Sequence, residues 1–214
     1  RTRMVFLANP NNPTGSYVPV DELRRLHAGL PSETLLVIDA AYAEYVSRND
    51  YISGAELVET FENVVMTRTY SKAFGLAALR LGWAYCPPGI ANVLNRVRNP
   101  FNVTAAAQVA GAAAVGDLSH TDAVVAHNDE WLPRFTDELK GLGLEVPPSV
   151  GNFVLVRFGT AERAQSAYDH LMKCGVITRM MGGYGLPDSL RITVGLGPEL
   201  KAVLDGLSEY ERTT

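Results

Sequence analysis

Short apolar runs alternate with amphipathic segments along most of this chain. Four apolar runs, at 4–8, 35–38, 63–66 and 81–85, predict buried β-strands. The segment 19–30, between the first two runs, carries apolar residues at helical spacing and predicts an α-helix. Continuous apolar strands that alternate with helices are typical of α/β folds, so we predict a mostly parallel sheet with helices on both faces.

The pattern becomes more helical in the second half of the chain. Helices are predicted at 90–98, 105–115 and 121–142. Shorter strands and helices then alternate, at 152–158, 161–173, 176–179, 190–194 and 199–210. We therefore predict part of a large domain at 1–118 and a small α/β C-terminal domain at 119–214, which includes the long bridging helix.

Composition and charge narrow the function classes. The 214 residues carry a net charge of −4, and 47% of them are hydrophobic, which is ordinary for a globular protein. This charge gives no reason to expect nucleic acid or a membrane as a partner. Cys86 and Cys174 do not stand in a metal-ligand spacing with the four histidines, so we expect reduced thiols and no metal site.

The segment 69–80 carries the most specific chemistry. It places Lys72 between hydroxyl residues, including Thr69 and Ser71, and small or apolar neighbours, with Arg80 eight positions on. A lysine amine can form a Schiff base with an aldehyde, and hydroxyls with a guanidinium suit a phosphate. Together they predict a site for pyridoxal 5'-phosphate (PLP), an aldehyde that carries a phosphate.

Polar residues also follow the first three predicted strands. Asn11 and Asn12 follow the first strand, Asp39 the second, and 67–72 the third. Ligands of open parallel sheets collect at these carboxyl ends. A buried carboxylate at Asp39 needs a cationic partner such as a protonated pyridine nitrogen, and Tyr42 is near enough to reach the same ligand. The structural alternative for Asp39 is a helix N-cap.

Three arginines are candidates for binding anions. Arg80 lies between Leu79 and Leu81, which favours a partly buried guanidinium over a surface charge. Arg191 interrupts an apolar run and is suitably placed for a carboxylate or phosphate. For Arg179, a solvated charge at a strand end is the favoured interpretation.

Four motifs, in this order, resemble the class I/II aminotransferases of PLP fold type I. They are 9–15, 39–42, 71–82 and 190–195. The resemblance covers almost the whole chain and implies a PLP-transferase α/β fold whose N-terminal part is missing here. The chain begins at Arg1 without an initiator methionine, so we expect it to be the C-terminal portion of a longer polypeptide.

The resemblance also implies a role for each site residue. Lys72 would bind the cofactor covalently, Asp39 would pair with its ring nitrogen, and Tyr42 and Asn12 would contact its ring hydroxyl. The phosphate would be bound by Thr69, Ser71 and Arg80. Arg191, assisted by Arg179 and Asn12, would bind the acidic group of the substrate. The catalytic residues implied are Lys72, Asp39 and Tyr42.

Details of the sequence at 71–77, 152–155 and 184–187 are most similar to family members that transaminate histidinol phosphate with 2-oxoglutarate. The resemblance thus implies a cytoplasmic homodimer in histidine biosynthesis, with a small amino donor and a 2-oxo acid acceptor. An aromatic amino acid aminotransferase or a threonine-phosphate decarboxylase would share every cofactor residue. A PLP-binding sensor domain of a transcription regulator also stays open. A nucleotide-binding domain is not supported, because this sequence has no glycine-rich nucleotide-binding loop.

Overall fold

The computed structural model describes residues 1–213, which separate into two units. Unit 1 contains Arg1–Asn11 and Tyr17–Val125, and unit 2 contains Asn12–Ser16 and the chain from Ala126 onward. The division falls inside the long helix Leu118–Gly141. The domain boundary at 118/119 stays a prediction, because a helix shared by both units has no natural break there.

The sheet of unit 1 is mixed. Its strands are β1 (Met4–Ala8), β2 (Leu35–Asp39), β3 (Val64–Thr69) and β4 (Gly82–Tyr85), in that spatial order. The first three are parallel, as predicted, but β4 runs antiparallel to β3. No residue of β1 is buried and every residue of β4 is exposed, so the prediction of a buried first and fourth strand is wrong. The apolar run 81–85 resembled a central strand although it forms the edge.

The helices of unit 1 differ in how much of their surface is buried. They are α1 (Val20–Ala28), α2 (Ala55–Thr60), α3 (Pro88–Val97) and α4 (Ala105–Gly116). The core joins α1 and α2 to the sheet through Leu23, Leu57, Leu36, Ile38 and Met66, all nearly inaccessible to solvent. The sequence did not predict α2, which is a short helix that begins after Gly54 in a left-handed conformation.

Among the described residues, unit 2 contains an antiparallel sheet, three α-helical segments and the short 3-10 helix Gly182–Tyr184. Its strands are β5 (Phe153–Arg157), β6 (Arg179–Met180) and β7 (Ser189–Thr193), in the order β5-β7-β6. The helices are α5 (Leu118–Gly141, from Ala126), α6 (Ala161–Lys173) and α7 (Gly197–Thr213). The predicted bounds of α6 are confirmed. The helix begins after Thr160 because the Thr160 hydroxyl accepts a hydrogen bond from the Arg163 amide at 3.2 Å.

Apolar helix surface remains exposed in unit 1. No residue of α3 is buried, and only Ala107 and Gly111 are buried in α4. Within residues 1–213, no helix combines the length and the apolar character needed to cross a membrane.

Candidate active site

Lys72 lies in the connection between β3 and β4. Its side chain is half-buried, and its Nζ is 5.1 Å from the ring centroid of Tyr42. Tyr42 is buried and follows β2, the parallel neighbour of β3. Two site residues predicted from separate motifs therefore lie side by side, because adjacent parallel strands end at the same edge of the sheet.

Asp39 is the last residue of β2 and pairs in register with Thr67 of β3. Its side chain is exposed, and Oδ1 accepts a hydrogen bond from the Ala41 amide at 3.2 Å. The premise that this carboxylate is buried is therefore wrong for this structure. The helix-cap alternative also fails, because the following short helix Ala43–Tyr45 has Tyr42 at its N-cap. The carboxylate remains accessible to a ligand.

The hydroxyl residues and Arg80 form a local hydrogen-bonded group. The Ser71 amide donates to Thr69 Oγ1 at 3.1 Å, and Arg80 Nη1 donates to Ala77 O at 2.7 Å, with a longer contact to Ser71 Oγ at 3.4 Å. Arg80 is exposed rather than partly buried, because it follows the short helix Ala77–Leu79 at the surface. The structure thus brings Thr69, Ser71 and Arg80 together.

Arg80 also has an uncommon backbone conformation. Its φ of 51° lies in the left-handed region, where a side chain other than glycine costs free energy. Such conformations cluster at ligand sites. The strain therefore supports a binding role for the Arg80 guanidinium beyond its hydrogen bond to Ala77.

Sequence reasoning missed an ion pair beside this group. Arg68 Nη2 lies 2.6 Å from Glu44 Oε1, and their side chains are 19% and 9% exposed. The pair connects the residue before Thr69 with a residue two positions after Tyr42. The signal that could have revealed it is Arg68 itself, a charge placed within a mainly apolar strand.

Buried polar groups fix the neighbouring turns. Asn9 is fully buried, and its side-chain amide bonds to both the amide and the carbonyl of Val18, at 2.8 and 3.1 Å. The Tyr51 hydroxyl donates to Asn9 O at 2.9 Å, and burial is the main cause of its raised pKa. Burial also raises the pKa of Tyr45 to about 12. These groups are structural, and sequence reasoning assigned no individual role to Asn9, Tyr45 or Tyr51.

Two of the predicted substrate-binding residues meet in unit 2. Arg191 on β7 donates from Nη1 to Asn12 Oδ1 at 2.7 Å, and its guanidinium lies 5.2 Å from the ring centroid of Phe153. Its Nε is buried and has no hydrogen-bond partner among residues 1–213. Arg191 is therefore oriented by two contacts while one of its donors stays unused.

Arg179 is the cross-strand partner of Arg191 in the β6–β7 register. Like charges placed opposite each other on neighbouring strands repel, and an anion between them would remove the repulsion. Arg179, Arg191, Thr178 and Thr193 contribute to the lining of one surface pocket of unit 2. Arg179 itself is exposed, so a solvated charge remains consistent with its position.

The end of α6 places a histidine and a cysteine at a metal-ligand spacing. His170 and Cys174 are four residues apart at the end of α6, and His170 Nε2 lies 3.6 Å from Cys174 Sγ. The expectation that no histidine stands at ligand spacing from a cysteine is therefore wrong, because residues four apart on a helix share a face.

The family model for class I and II aminotransferases matches residues 1–206. This chain belongs to that family. The match confirms the resemblance carried by the four sequence motifs and spans both units of this aminotransferase-family chain.

Individual relatives and solved structures of similar fold agree with this family assignment. This aminotransferase-family chain is 58% identical to histidinol-phosphate aminotransferase of Rhodospirillum centenum and 56% identical to that of Paramagnetospirillum magneticum, in each case over 98% of its length. The structure of histidinol-phosphate aminotransferase from Sinorhizobium meliloti in complex with pyridoxal-5'-phosphate has a TM-score of 0.91 and 33% identity, over 99% of this chain. The chain spans 58% of the length of each of these three proteins. The PLP-transferase α/β fold predicted from the sequence is thereby confirmed.

Proposed function

We propose that this protein is a PLP-dependent aminotransferase that transfers the amino group of histidinol phosphate to 2-oxoglutarate in histidine biosynthesis. The observation that carries the proposal is the position of Lys72 Nζ, 5.1 Å from the Tyr42 ring in unit 1. The high identity to histidinol-phosphate aminotransferases supports this substrate over an aromatic amino acid or threonine phosphate.

The residues of unit 1 fit the chemistry of PLP. A primary amine, an accessible carboxylate and a phenol are supplied by Lys72, Asp39 and Tyr42. The hydrogen-bonded group around Arg80 supplies hydroxyls and a guanidinium, which are common ligands of phosphate. Each functional group of PLP therefore has a complementary side chain in this unit.

In this proposal Thr69, Ser71 and Arg80 bind the phosphate. Asp39 accepts a hydrogen bond from the protonated ring nitrogen, and Tyr42, with Asn12, hydrogen-bonds the ring hydroxyl. Bound PLP supplies a ring that stabilises negative charge developing on the substrate carbon. The Asp39 carboxylate favours the protonated ring and thereby increases that stabilisation.

Lys72 has two tasks. It would hold the cofactor covalently, and its Nζ would accept the proton that leaves the substrate carbon bearing the amino group. A positioned acid–base group of this kind contributes about 10²–10⁴-fold to the rate. Tyr42 lies beside Lys72, with Nζ 5.1 Å from the centroid of its ring.

Arg191 binds the acidic groups of both substrates in turn. A planar guanidinium can pair with the phosphate of histidinol phosphate and with a carboxylate of 2-oxoglutarate. Asn12 Oδ1 and the Phe153 ring orient it, and Arg179 adds positive charge. Asn12, Arg179 and Arg191 therefore form the proposed substrate-binding set.

We further propose that the protein acts as a cytoplasmic homodimer. Large apolar side chains on α3 and α4 are exposed, among them Val97 and Val109, and Phe101 between these helices is almost fully exposed. Apolar surface of this extent can be buried by a second copy or by further segments of a longer chain. Sedimentation equilibrium of the intact protein tests this, and a monomer at micromolar concentration would contradict it.

Borohydride trapping tests the central assignment. The intact protein is reduced with borohydride in the presence of PLP, digested, and analysed by mass spectrometry. The cofactor mass should appear on the peptide that contains Lys72, and on no peptide of Lys72→Ala. Lys140→Ala, a change at an exposed lysine of α5, is the matched control and should be trapped like the wild type. Trapping at another residue of the wild type would disprove the assignment.

A separate measurement tests which amino donor the protein prefers. Steady-state kcat/KM is compared for histidinol phosphate, phenylalanine and threonine phosphate, with 2-oxoglutarate as acceptor. Histidinol phosphate should give the highest value. A higher value for phenylalanine, or release of carbon dioxide from threonine phosphate, would retain the cofactor assignment but reject the proposed substrate.

A further inference from the structure

Helices α6 and α7 bring three potential metal ligands together on the surface of unit 2. His170 Nε2, Cys174 Sγ and a carboxylate oxygen of Glu209 all lie within 4.8 Å of one another. We propose that these three side chains form a binding site for Zn²⁺. None of them belongs to the site assigned to the cofactor or the substrates.

The helical backbone explains why the three side chains meet. His170 and Cys174 are four residues apart, and the Cys174 amide still donates to His170 O at 3.1 Å, so both side chains lie on one face of the helical turn. Glu209 is three residues after Gly206 on α7 and therefore shares its face.

Gly206 allows the two helices to approach closely at this point. A Cβ atom built there would lie 3.0 Å from Leu171 Cδ2 and 3.8 Å from Cys174 Sγ. An alanine there would require the end of the Leu171 side chain to shift by a few tenths of an ångström. Glycine at position 206 thus avoids crowding where α7 packs against the end of α6.

The interatomic distances fit a tetrahedral ion. Zinc bound at about 2.3 Å from sulfur and about 2.0 Å from nitrogen holds these two atoms roughly 3.5 Å apart. The observed Sγ–Nε2 distance is 3.6 Å. Two of the ligand atoms are therefore separated as a tetrahedral site requires.

The ligand types select the class of metal. Thiolate and imidazole favour zinc and related ions over magnesium or calcium, which prefer oxygen ligands. Binding replaces the thiol proton with the ion, and the proton leaves to solvent. With three protein ligands the fourth position is open to water.

The site is accessible to ions from solution. Cys174 and Glu209 are exposed, and His170 is half-buried with its ring 5.8 Å from the ring of the buried Tyr210. The packed histidine and the helix geometry provide preorganisation, and the exposed carboxylate can rotate to complete the ligand set. A bound ion would connect the end of α6 to α7.

The test uses the intact, PLP-loaded protein after removal of metals with a chelator. Zn²⁺ is titrated by calorimetry, and alkylation of Cys174 by iodoacetamide is followed by peptide mass spectrometry with and without Zn²⁺. We expect one ion per chain and at least about tenfold slower alkylation of Cys174, while Cys86 serves as the internal reference. Unchanged alkylation of Cys174 at saturating Zn²⁺ would overturn the proposal.

Variants identify the ligands. Loss of an outer-shell partner already lowers metal affinity about 10–100-fold, so loss of a ligand in Cys174→Ser, His170→Gln or Glu209→Gln should lower it at least as much. Cys86→Ser and Glu138→Gln, which change a thiol and an exposed carboxylate elsewhere, should bind Zn²⁺ like the wild type. Wild-type affinity in any of the three ligand variants would reject the three-ligand site. Should a variant lose its native circular dichroism, the protection of Cys174 in the wild type decides the question.

Discussion

Glu44 and Arg68 form an ion pair that joins the segment following β2 to the end of β3, with Oε1 and Nη2 2.6 Å apart. Both side chains are largely removed from solvent, yet Glu44 Oε2 and Arg68 Nε have no hydrogen-bond partner among residues 1–213. The ion pair therefore connects the segments that carry Tyr42 and Thr69, but it leaves two buried polar atoms without hydrogen bonds.

Replacing one partner of this ion pair should lower the free energy of unfolding more than replacing both partners. Loss of one partner from a buried pair leaves an uncompensated charge and costs about 3–5 kcal/mol, whereas an apolar replacement of both is often tolerated. We expect Glu44→Gln to lower the free energy of unfolding strongly and Glu44→Leu/Arg68→Met to lower it less. Urea unfolding measures both, with the exposed Glu59→Gln as the control. Equal losses in the single and double variants would contradict this prediction.

Arg80 combines a strained backbone with the proposed phosphate contact, so two substitutions can separate these effects. Both Arg80→Gly and Arg80→Ala remove the guanidinium, and the PLP dissociation constant should rise roughly 10–100-fold in each. The glycine variant should be more stable than the alanine variant by about 1 kcal/mol, because only alanine keeps a Cβ in the left-handed region. Equilibrium dialysis and thermal unfolding of the cofactor-free proteins measure the two quantities. Equal stability of the variants would show that the φ of 51° is not a source of strain.

Asn12 should act through Arg191. Asn12→Ala removes the 2.7 Å contact that orients the guanidinium, and KM for histidinol phosphate and for 2-oxoglutarate should both rise roughly tenfold. Asn12→Asp should raise both KM values further, because its carboxylate would occupy the guanidinium in place of the substrate anion. PLP affinity is measured alongside, since Asn12 is also assigned to the ring hydroxyl. An Asn12→Asp variant with lower KM values than Asn12→Ala would contradict the prediction.

Alkaline pH should destabilise the protein through Tyr45. Burial raises its folded pKa to about 12 from 10.0, so between these values the unfolded state has lost the phenolic proton that the folded state still holds. Stability therefore falls as pH rises above 10, by about 1 kcal/mol at pH 11 from this residue. Tyr45→Phe should lose less stability than the wild type between pH 9 and pH 11 in urea unfolding. Parallel losses in the two proteins would rule out this linkage.

The residues that sequence reasoning identified are those whose chemistry is unusual where they stand. Lys72 and Asp39 are polar residues at strand ends, and the motifs around them give the family directly. The sequence did not reveal the direction of β4, because an apolar run has the same pattern at an edge as in the centre of a sheet. It also did not reveal Glu44, whose role depends on Arg68 in another element. Both failures concern relations between distant segments, which local pattern does not contain.

Gly15 should be needed for the packing of unit 2 as well as for its turn. Its φ is +74°, and a Cβ there would lie 2.6 Å from Ser149 Cβ. Ser149 cannot move aside easily, because its hydroxyl donates to Phe153 O at 2.7 Å and accepts from the Gly151 amide at 3.2 Å. Gly159 has a similar φ of +82°, but nothing lies within 4 Å of its Cβ position, so it is a matched control.

Alanine at these two glycines should therefore have unequal effects on stability. Gly159→Ala should cost about 1–2 kcal/mol for the left-handed backbone alone. Gly15→Ala adds the overlap with Ser149 and should cost a further 1–3 kcal/mol or so, the usual range for overpacking. Chemical unfolding of both variants measures the difference. The same cost at both positions would mean that the backbone conformation, and not the contact with Ser149, determines the requirement for glycine at position 15.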